Sequence, residues 1–284
     1  MKKLGFGLMR LPMLGEEVDI EQVKQMVDLF LERGFDYFDT AYGYIGGKSE
    51  LAVKTALVER YPRESFKLAT KLPAWASHVK TAEDAKAMLY TSLERTGAGY
   101  FDYYLMHSLG GTRTELYDNY DLWNFAAEQK AKGVLRRVGF SFHDNAEALE
   151  ALLNAHPEVD FVQLQINYAD WESESVQSRL CYETARRHGK EVIVMEPVKG
   201  GSLANLPEAT AKPMRDFAPD ASLSSWAIRY AASLDGVLTV LSGMSTLAQV
   251  EDNTSYMQDF QLLSEKEYEI IHCMKQPSAI QCGG

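Results

Sequence analysis

Four side chains capable of acid–base chemistry follow apolar segments of the sequence. Asp39, Lys71 and His107 each come at the end of such a segment, and Tyr44 lies in the turn after Asp39. A tyrosine hydroxyl, whose pKa is about 10, can give a proton to a carbonyl oxygen when a nearby cation eases its ionisation. Lys71 would be that cation, and Asp39 would hold it charged. His107 would hydrogen-bond the substrate oxygen. The set predicts the reduction of an aldehyde or ketone.

Reduction of a carbonyl carbon also needs a hydride, and no amino-acid side chain supplies one. A nicotinamide cofactor is therefore implied. Two other interpretations of the same residues stay open. Lys71 could form a Schiff base with a carbonyl substrate, as in a lyase of the aldolase type. The chain could also bind nicotinamide as a regulatory protein without turnover. Borohydride trapping and carbonyl turnover distinguish the three.

Bringing these side chains together requires a fold in which several strands end at one place. Short segments rich in β-branched and aromatic residues alternate with amphipathic stretches, which predicts parallel strands joined by helices. The predicted strands are Leu4–Leu8, Phe35–Ala41, Phe66–Leu72, Phe101–His107, Arg136–Ser141, Phe161–Asn167, Glu191–Val198 and Val237–Gly243. Eight such units in about 250 residues predict a closed (β/α)8 TIM barrel, an α/β fold whose strands all end at one rim.

An open doubly wound sheet is the alternative arrangement of alternating strands and helices. The GxGxxG loop typical of that fold is not completed here, because Arg10 occupies the sixth position of the segment that begins at Gly5. We therefore predict a catalytic barrel over residues 1–260. A C-terminal helix and tail over residues 261–284 would pack on or beside it.

Several helix boundaries can be predicted from single residues. Asp19, followed three residues later by Gln22, predicts a capping box at the start of the first helix. Gly34 is expected to end that helix, because glycine readily adopts the left-handed conformation of a helix stop. Asp144 with Glu147 predicts another helix start further along the chain.

The composition excludes several other functions. The chain has 284 residues, and 29 Lys and Arg against 40 Asp and Glu give a net charge of −11. An acidic chain without a basic run is not expected to bind nucleic acid. No apolar segment has the length of a signal peptide core or a membrane span, and the three cysteines form no CxxC pair. These features predict a cytoplasmic protein with a small-molecule carbonyl substrate, and they indicate no oligomer.

The candidate residues resemble the signature stretches of the aldo-keto reductase family. In the family's order and spacing, these stretches are Phe38–Ala41 with Tyr44, Thr70–Leu72, Tyr104–His107, Gly139–Ser141, and Gln163 with Asn167. The resemblance extends from about Gly5 to Asn253. It implies a barrel that binds NADPH or NADH, with Tyr44 as the proton donor. Asp39, Lys71 and His107 would support that donor.

The resemblance also implies which residues contact the cofactor. Gln163 and Ser141 match the positions that meet the nicotinamide carboxamide. Met195 stands where many relatives have an aromatic residue on the nicotinamide ring, and Pro197–Leu203 resembles the loop over the pyrophosphate. The full set is Gly7, Met9, Ser141, Gln163, Met195, Pro197, Lys199, Gly201, Leu203, Gly243, Ser245, Gln249, Asp252 and Asn253.

The segment that would hold the adenosine phosphate predicts the choice of cofactor. Relatives that prefer NADPH often carry Lys or Arg there. This chain has neither between Arg229 and Lys266, and it has Glu251 and Asp252 instead. A 2′-phosphate dianion would gain little from such surroundings. We therefore expect the use of NADH, or of both dinucleotides.

Aromatic residues in the predicted rim loops indicate the kind of substrate. Trp75, Tyr117 and Trp171 are expected to bind the substrate as parts of the pocket wall. Large aromatic surfaces favour apolar partners, so these residues predict an apolar or aromatic carbonyl compound.

Residues 277–282 resemble the start of a ferredoxin-like extension found in one bacterial subgroup of the family. A cubane iron–sulfur cluster needs about four thiolates. Because Cys282 is not accompanied by a CxxC series, no iron–sulfur centre is expected.

Overall fold

Among residues 2–274, which the computed structural model describes, eight strands form one closed barrel. In chain order the strands are β1 (Leu4–Gly7), β2 (Met13–Leu14), β3 (Glu17–Val18), β4 (Tyr37–Asp39), β5 (Lys67–Leu72), β6 (Phe101–Leu109), β7 (Leu135–Phe142), β8 (Phe161–Gln165), β9 (Glu191–Met195) and β10 (Val237–Gly243). Strands β2 and β3 form a separate antiparallel hairpin. The other eight are parallel, and β1 closes the barrel by pairing with both β4 and β10. The predicted (β/α)8 TIM barrel is confirmed.

Helices connect the barrel strands and cover their outer faces. They are α1 (Ile20–Glu32), α2 (Lys48–Val53), α3 (Ala82–Thr96), α4 (Thr114–Asn119), α5 (Leu122–Ala131), α6 (Ala146–Ala155), α7 (Ser178–Arg187), α8 (Glu208–Phe217), α9 (Leu223–Ala232), α10 (Leu247–Gln258) and α11 (Glu265–Met274). On α1, for example, Phe30 packs against Phe6 of β1 and Phe38 of β4, with ring centroids 5.4 and 5.3 Å apart. Within residues 2–274, none of the helices combines the length and the hydropathy needed to cross a lipid bilayer.

The predicted helix starts are only partly right. Asp19 does cap α1 by accepting a hydrogen bond from the Gln22 backbone N–H at 3.1 Å. The Gln22 side chain, however, donates to the Asp19 carboxylate instead of accepting from the Asp19 N–H, which bonds the carbonyl of Pro12. The capping box is therefore incomplete. Gly34 ends the helix with a φ of 80°, as predicted.

Helix α6 is capped by Asn145, one residue later than the predicted Asp144. The Asn145 side chain accepts from the backbone N–H of Ala148 at 2.9 Å. The Asp144 carboxylate instead accepts from the backbone N–H groups of Gly111 and Asn145, both at 2.8 Å. It therefore joins the loops that follow β6 and β7.

The barrel interior is filled at one end and open at the other. Tyr37, Tyr103 and Phe161 pack inside the barrel, with ring centroids 4.9 and 5.3 Å apart. Gly139 leaves room for Phe161, since a Cβ atom there would come within 2.3 Å of the Phe161 carbonyl oxygen. Side chains two positions later on the same strands point to the same inward face, because the side-chain period of a strand is two. This strand period therefore turns the side chains near the carboxyl ends of the strands, some of them functional, into the open end of the barrel.

Several predicted strands are too long at their ends. The strand predicted as Phe35–Ala41 is reduced to β4, and Glu191–Val198 ends at Met195 because Glu196 has a φ of 56°. The strand predicted as Phe161–Asn167 ends at Gln165, and the Asn167 side chain accepts from the backbone N–H of Asp170 at 2.8 Å in a turn. These early ends create the rim loops.

The end of the described chain packs against the barrel through an ion pair and through apolar contacts around Ile271. Arg229 of α9 lies 2.6 Å from Glu267 of α11, and α11 also contacts α8. The predicted boundary at residue 260 stays a prediction. Cys282 and the rest of the predicted tail beyond residue 274 lie outside the described residues.

Candidate active site

A cavity of about 870 Å³ opens at the carboxyl end of the barrel. Asp39, Tyr44 and His107 line it, and Lys71 lies directly behind Asp39. Asp39 and Lys71 come two positions after the interior residues Tyr37 and Ala69 on the same strands, so the strand period turns them into the barrel. The structure therefore brings all four predicted side chains to one place.

Lys71 and Asp39 form an ion pair that is buried from solvent. Lys71 Nζ lies 2.5 Å from Asp39 Oδ1 and donates to the Thr40 carbonyl at 2.8 Å. The side chains are 0% and 3% exposed. Burial lowers the pKa of Lys71, but the neighbouring Asp39 and Tyr44 outweigh this effect and bring the pKa above its ordinary value. Lys71 therefore stays protonated at neutral pH. Burial outweighs the Lys71 charge at Asp39 and raises the pKa of that carboxyl.

Tyr44 lies in the turn after β4 with its ring against the Lys71 ammonium. Lys71 Nζ is 4.8 Å from the centre of the Tyr44 ring. Burial raises the pKa of the Tyr44 hydroxyl above its ordinary value, and the Lys71 charge offsets part of that rise. The phenol is therefore protonated at neutral pH, as a proton donor must be.

His107 faces Tyr44 across the cavity, with ring centroids 6.0 Å apart. Its own carbonyl accepts hydrogen bonds from Trp75 Nε1 at 2.8 Å and from the Tyr117 hydroxyl at 2.6 Å. Burial, followed by the charge of Lys71, lowers the pKa of His107 well below its ordinary value. His107 is therefore a neutral hydrogen-bonding group and not an acid at neutral pH.

The turn that carries Tyr44 is fixed by residues that the sequence analysis did not single out. The side chain of Glu50, 0% exposed, accepts hydrogen bonds from Thr70 Oγ1 at 2.7 Å and Arg95 Nε at 2.8 Å. Arg95 also donates to the carbonyl of Gly47. A buried glutamate beside a glycine turn has no distinctive spacing in the sequence, so only the packing identifies this support.

Comparison with known proteins agrees with this geometry. The family model described as "Aldo/keto reductase family" matches residues 3–275. The chain belongs to the aldo/keto reductase family. It is thus an NAD(P)H-dependent enzyme that reduces small carbonyl compounds.

Individual relatives are similar over most of the reductase. An aldo-keto reductase from Mycolicibacterium vanbaalenii is 29% identical over 268 residues, which cover 94% of this chain and 86% of that protein. The NADH-specific methylglyoxal reductase of Escherichia coli is 28% identical over 213 residues, covering 68% of this chain and 60% of that one. The holo form of an aldo-keto reductase from Bacillus halodurans is 26% identical, with a TM-score of 0.75 and coverage of 96% and 92%.

The part of the reductase's cavity where the nicotinamide is expected has a buried oxygen without a hydrogen-bond donor. Gln163 Oε1 is buried and has no hydrogen-bond partner among the described residues, whereas Gln163 Nε2 contacts Met195 Sδ at 3.4 Å. Ser141 accepts from the backbone N–H of Ser108 at 2.7 Å, which leaves its hydroxyl proton available. An acceptor beside a hydroxyl donor suits a primary carboxamide. These residues fit the nicotinamide group of the cofactor.

Beyond Met195, the loop predicted to cover the pyrophosphate turns sharply. Gly200 and Gly201 have φ values of 65° and 98°, and the Gly200 N–H donates to Glu196 Oε2 at 2.7 Å. Pro197 and Gly201 line the cavity. The Gly201 N–H donates to the Val198 carbonyl at 3.0 Å, so both glycine N–H groups are used within the turn, and the turn offers a phosphate a close approach to side-chain-free backbone.

Two residues predicted in this loop are absent from the cavity wall. Lys199 pairs with the buried Asp170, and Leu203 is packed in the apolar cluster around Trp226. Direct cofactor contacts by these two side chains are therefore not available in this structure. Their side chains hold the loop from behind instead.

The remaining predicted cofactor residues line the cavity at the end formed by β1, β10 and the start of α10, where the adenosine part of a dinucleotide is expected. They are Gly7, Met9, Gly243, Ser245, Gln249, Asp252 and Asn253. Several are bonded to one another: Gln249 Oε1 accepts from the Ser245 N–H at 2.7 Å, and Asn253 Nδ2 donates to Ser242 Oγ at 2.9 Å. This network shapes the wall before any cofactor binds.

Arg10 is a cation at this end that the sequence analysis missed. It lines the cavity, and its Cδ atom lies 3.5 Å from the position that a Cβ atom on Gly243 would take. Its guanidinium reaches within 3.8 Å of the corresponding position on Gly200. No cation stands between Arg229 and Lys266 in the sequence, whereas Arg10 comes from the segment after β1. Pairing of β1 with β10 brings the two segments together.

Only one of the three predicted substrate residues lines the cavity. Trp75 does so, beside His107. Tyr117 is fully buried behind the wall, with its hydroxyl bonded to the backbone of Leu72 and His107. Trp171 packs on Tyr182 and Tyr230 outside the cavity. The prediction that Tyr117 and Trp171 form the wall is therefore wrong.

Proposed function

We propose that this aldo-keto reductase reduces an aldehyde or ketone to an alcohol with Tyr44 as the proton donor. The observation that carries the proposal is the convergence of Tyr44, Lys71, Asp39 and His107 at one cavity. A carbonyl oxygen held between Tyr44 and His107 can receive a hydrogen bond from each. Two donors aimed at the oxygen stabilise the negative charge that develops there.

Lys71 and Asp39 would act on Tyr44 and not on the substrate. As the phenol gives up its proton, negative charge grows on Tyr44, and the Lys71 ammonium 4.8 Å from the ring centre stabilises that charge. Asp39 keeps Lys71 protonated and in place through their 2.5 Å hydrogen bond. Neutral His107 orients the substrate oxygen without competing for the proton.

The cofactor, NADPH or NADH, would supply the hydride when bound. Gln163 Oε1 and the Ser141 hydroxyl would hold the nicotinamide carboxamide, and the thioether of Met195 would pack on the ring. The glycine turn at Gly200 and Gly201 would lie close against the pyrophosphate, because neither residue carries a side chain that would keep the backbone away.

The decisive experiment measures consumption of reduced nicotinamide by the purified chain with a panel of aliphatic and aromatic aldehydes and ketones. The proposal expects turnover with several of them and no trapped adduct on Lys71 after borohydride treatment. Tight dinucleotide binding without turnover of any carbonyl would support the regulatory alternative. A borohydride adduct on Lys71 would support the lyase, although a sealed, protonated Lys71 argues against that reaction.

We further propose that the enzyme uses NADH, or both dinucleotides. Asp252 lines the adenosine end and accepts from Ser224 Oγ at 3.1 Å, so an acidic group occupies part of this wall. The E. coli relative is named as NADH-specific. Arg10 lies beside Gly200 and Gly243, where a pyrophosphate would bind, and its charge would serve both cofactors alike.

Dissociation constants of NADH and NADPH for the wild type and Arg10→Gln test this choice. We expect similar values for the two dinucleotides, or tighter NADH binding, and an equal loss of affinity for both in R10Q. A large NADPH preference that disappears in R10Q would instead place the 2′-phosphate against Arg10 and overturn the proposal. A cytoplasmic location also remains a prediction.

A further inference from the structure

Arg113 is a second cation on the cavity wall, at the end opposite Arg10. It closes the short 3-10 turn Gly111–Arg113 that follows β6. Its guanidinium carbon lies 6.0 Å from the ring centre of Trp75, and the Trp75 ring lies 5.6 Å from the His107 ring. Arg113 therefore belongs to the part of the cavity next to His107, where the substrate would bind.

Arg113 has no acidic partner in residues 2–274. No carboxylate of this part of the chain lies within ion-pair distance of it. The carboxylate of Asp144 is close in the fold, but both of its oxygens accept from backbone N–H groups, those of Gly111 and Asn145. Most other arginine side chains of this protein bond to a carboxylate or a carbonyl, as those of Arg63, Arg137 and Arg229 do.

The other acidic groups of the wall are already engaged. Asp39 pairs with Lys71, Glu196 accepts from the Gly200 N–H, and Asp252 accepts from Ser224. The side chains nearest Arg113 on the wall are the aromatic ring of Trp75 and the imidazoles of His107 and His143. Burial, and next the charge of Arg113, lower the pKa of His143, so this imidazole is disfavoured as a second cation.

The loop that carries Arg113 is held in place on both sides. Gly110 donates to Thr114 Oγ1 at 3.0 Å, and the His143 N–H donates to the Leu109 carbonyl at 2.8 Å. Gly110 also fits closely against the next loop, because a Cβ atom there would lie 3.0 Å from the His143 carbonyl oxygen. A cation on a fixed loop is a preorganised binding group.

We propose that Arg113 binds a carboxylate carried by the substrate, so that the enzyme prefers carbonyl compounds with an acidic group on the same molecule. This inference rests on the proposed reductase function. The planar guanidinium matches a carboxylate through two parallel hydrogen bonds. The adjoining Trp75 ring would cover an apolar or aromatic body between the carbonyl and the carboxylate. The chain has a net charge of −11, which disfavours an anionic substrate. The positive charge of Arg113 would offset this repulsion locally.

The test compares two aldehydes of the same shape, 4-carboxybenzaldehyde and its neutral amide 4-formylbenzamide. The 2- and 3-substituted isomers are included so that the spacing between the carbonyl and the acid is varied. The quantity measured is the ratio of kcat/KM for the acid to kcat/KM for the amide. We expect the wild type to favour the acid in at least one isomer pair, and Arg113→Gln to lower that ratio by about tenfold or more.

Two variants make the readout specific. Arg113→Lys keeps the charge without the planar fork, and it should retain part of the preference. Arg215→Gln removes one positive charge from the exposed face of α8, outside the set of residues that line the cavity, and should leave the ratio unchanged. A purely structural role for Arg113 would change both substrates alike and leave the ratio constant.

Each outcome decides one question. Equal use of acid and amide by the wild type, or a ratio that R113Q does not change, overturns the carboxylate proposal and leaves the reductase function standing. Failure to reduce either aldehyde of any pair, together with no turnover of the wider carbonyl panel, contradicts the proposed function instead. In that case, calorimetric titration of the dinucleotide-saturated protein with 4-carboxybenzaldehyde and 4-formylbenzamide still tests Arg113: selective binding of the acid that is lost in R113Q supports its role, and equal binding refutes it.

Discussion

Lys71 Nζ and Asp39 Oδ1 lie 2.5 Å apart inside the barrel, although the two residues come from different strands. The register pairs Asp39 with Ala69, and Lys71 lies two positions further along β5 on the same inward face. The ion pair thus connects β4 to β5 at the end of β4, just before the turn that carries Tyr44. Its removal tests both the stability of the barrel and the environment of the phenol.

Lys71→Met should destabilise the protein strongly, because it leaves the Asp39 carboxyl buried without its partner. We expect the free energy of unfolding at neutral pH to fall by about 3 kcal/mol. Adding Asp39→Asn to K71M should restore part of the loss, because no buried charge then remains. Urea unfolding at equilibrium measures all three proteins.

Lys212→Met is the matched control, since Lys212 pairs with Asp216 on the exposed surface of α8. Its effect should be much smaller. Equal effects of K71M and K212M would show that the buried pair contributes no more than a surface pair.

Tyr44→Phe should separate chemistry from binding. Removal of the hydroxyl takes away the proton donor, so kcat should fall by about 10²–10⁴-fold. The dissociation constant of the dinucleotide should stay nearly the same, because the cofactor residues Gln163 and Ser141 lie on other strands. Steady-state kinetics and fluorescence titration give the two values.

Tyr90→Phe controls for the loss of a phenol, because Tyr90 is exposed on the outside of α3. It should behave as the wild type. Turnover by Y44F that matches turnover by Y90F would remove Tyr44 from the mechanism.

The pH dependence of reduction would follow from Tyr44 and His107, the two groups proposed to face the substrate oxygen. Tyr44 must be protonated to donate, and because burial raises its pKa above the ordinary value for tyrosine, it stays protonated through neutral and mildly alkaline pH. His107 is already neutral well below its ordinary pKa, so it gains no charge between mildly acidic and alkaline pH. We therefore expect kcat/KM for reduction to be flat from about pH 7 to pH 9 and to fall as the pH rises through the pKa of Tyr44.

The reverse reaction should show the opposite trend, because oxidation of an alcohol requires the deprotonated phenol to accept a proton. Its kcat/KM should rise toward high pH. Profiles of both directions, measured with one aldehyde and its alcohol, check the assignment. A reduction profile that already falls between pH 7 and 8 would contradict a raised pKa at Tyr44.

The sequence predicts the barrel and the four convergent groups well because both depend on a short period. Asp39, Lys71 and His107 each lie within two residues of the end of a strand, and the period of two places them on the face that holds Tyr37, Ala69 and Tyr103. Parallel strands then bring their ends to one rim. No other information is needed to bring these groups to the same side of the molecule.

Loop residues follow no such period, and the sequence predicts them poorly. Arg10 and Arg113 look like ordinary surface cations in the sequence, and only the pairing of β1 with β10 and the fixed loop after β6 turn them to the cavity. Tyr117 shows the opposite error. An aromatic side chain near the rim is expected to be buried. Whether the Tyr117 side chain points into the cavity or behind its wall depends on which backbone carbonyls its hydroxyl bonds.

The ion pair between Arg229 and Glu267 gives a final prediction about α11. Glu267 Oε1 lies 2.6 Å from Arg229 Nη1, and Glu267 Oε2 accepts from the Ser264 N–H at 2.7 Å. Burial raises the pKa of Glu267, but the bonds to Arg229 and Ser264 outweigh it and bring the pKa below its ordinary value. A lowered pKa in the folded state means that the pair stabilises the protein above the ordinary pKa of glutamate and that this contribution is lost as the pH falls through the lowered pKa.

Glu267→Gln should therefore lower the free energy of unfolding at neutral pH by about 1–2 kcal/mol, and the difference from the wild type should shrink in acid. Glu269→Gln is the control on the same helix, because Glu269 faces solvent and pairs with Lys266. Urea unfolding at pH values from neutral to acidic follows both variants. If E267Q and E269Q are equally stable at every pH, the ion pair does not fasten α11 to α9, and the apolar contacts around Ile271 and the ring contact between Tyr268 and Tyr230 hold the helix instead.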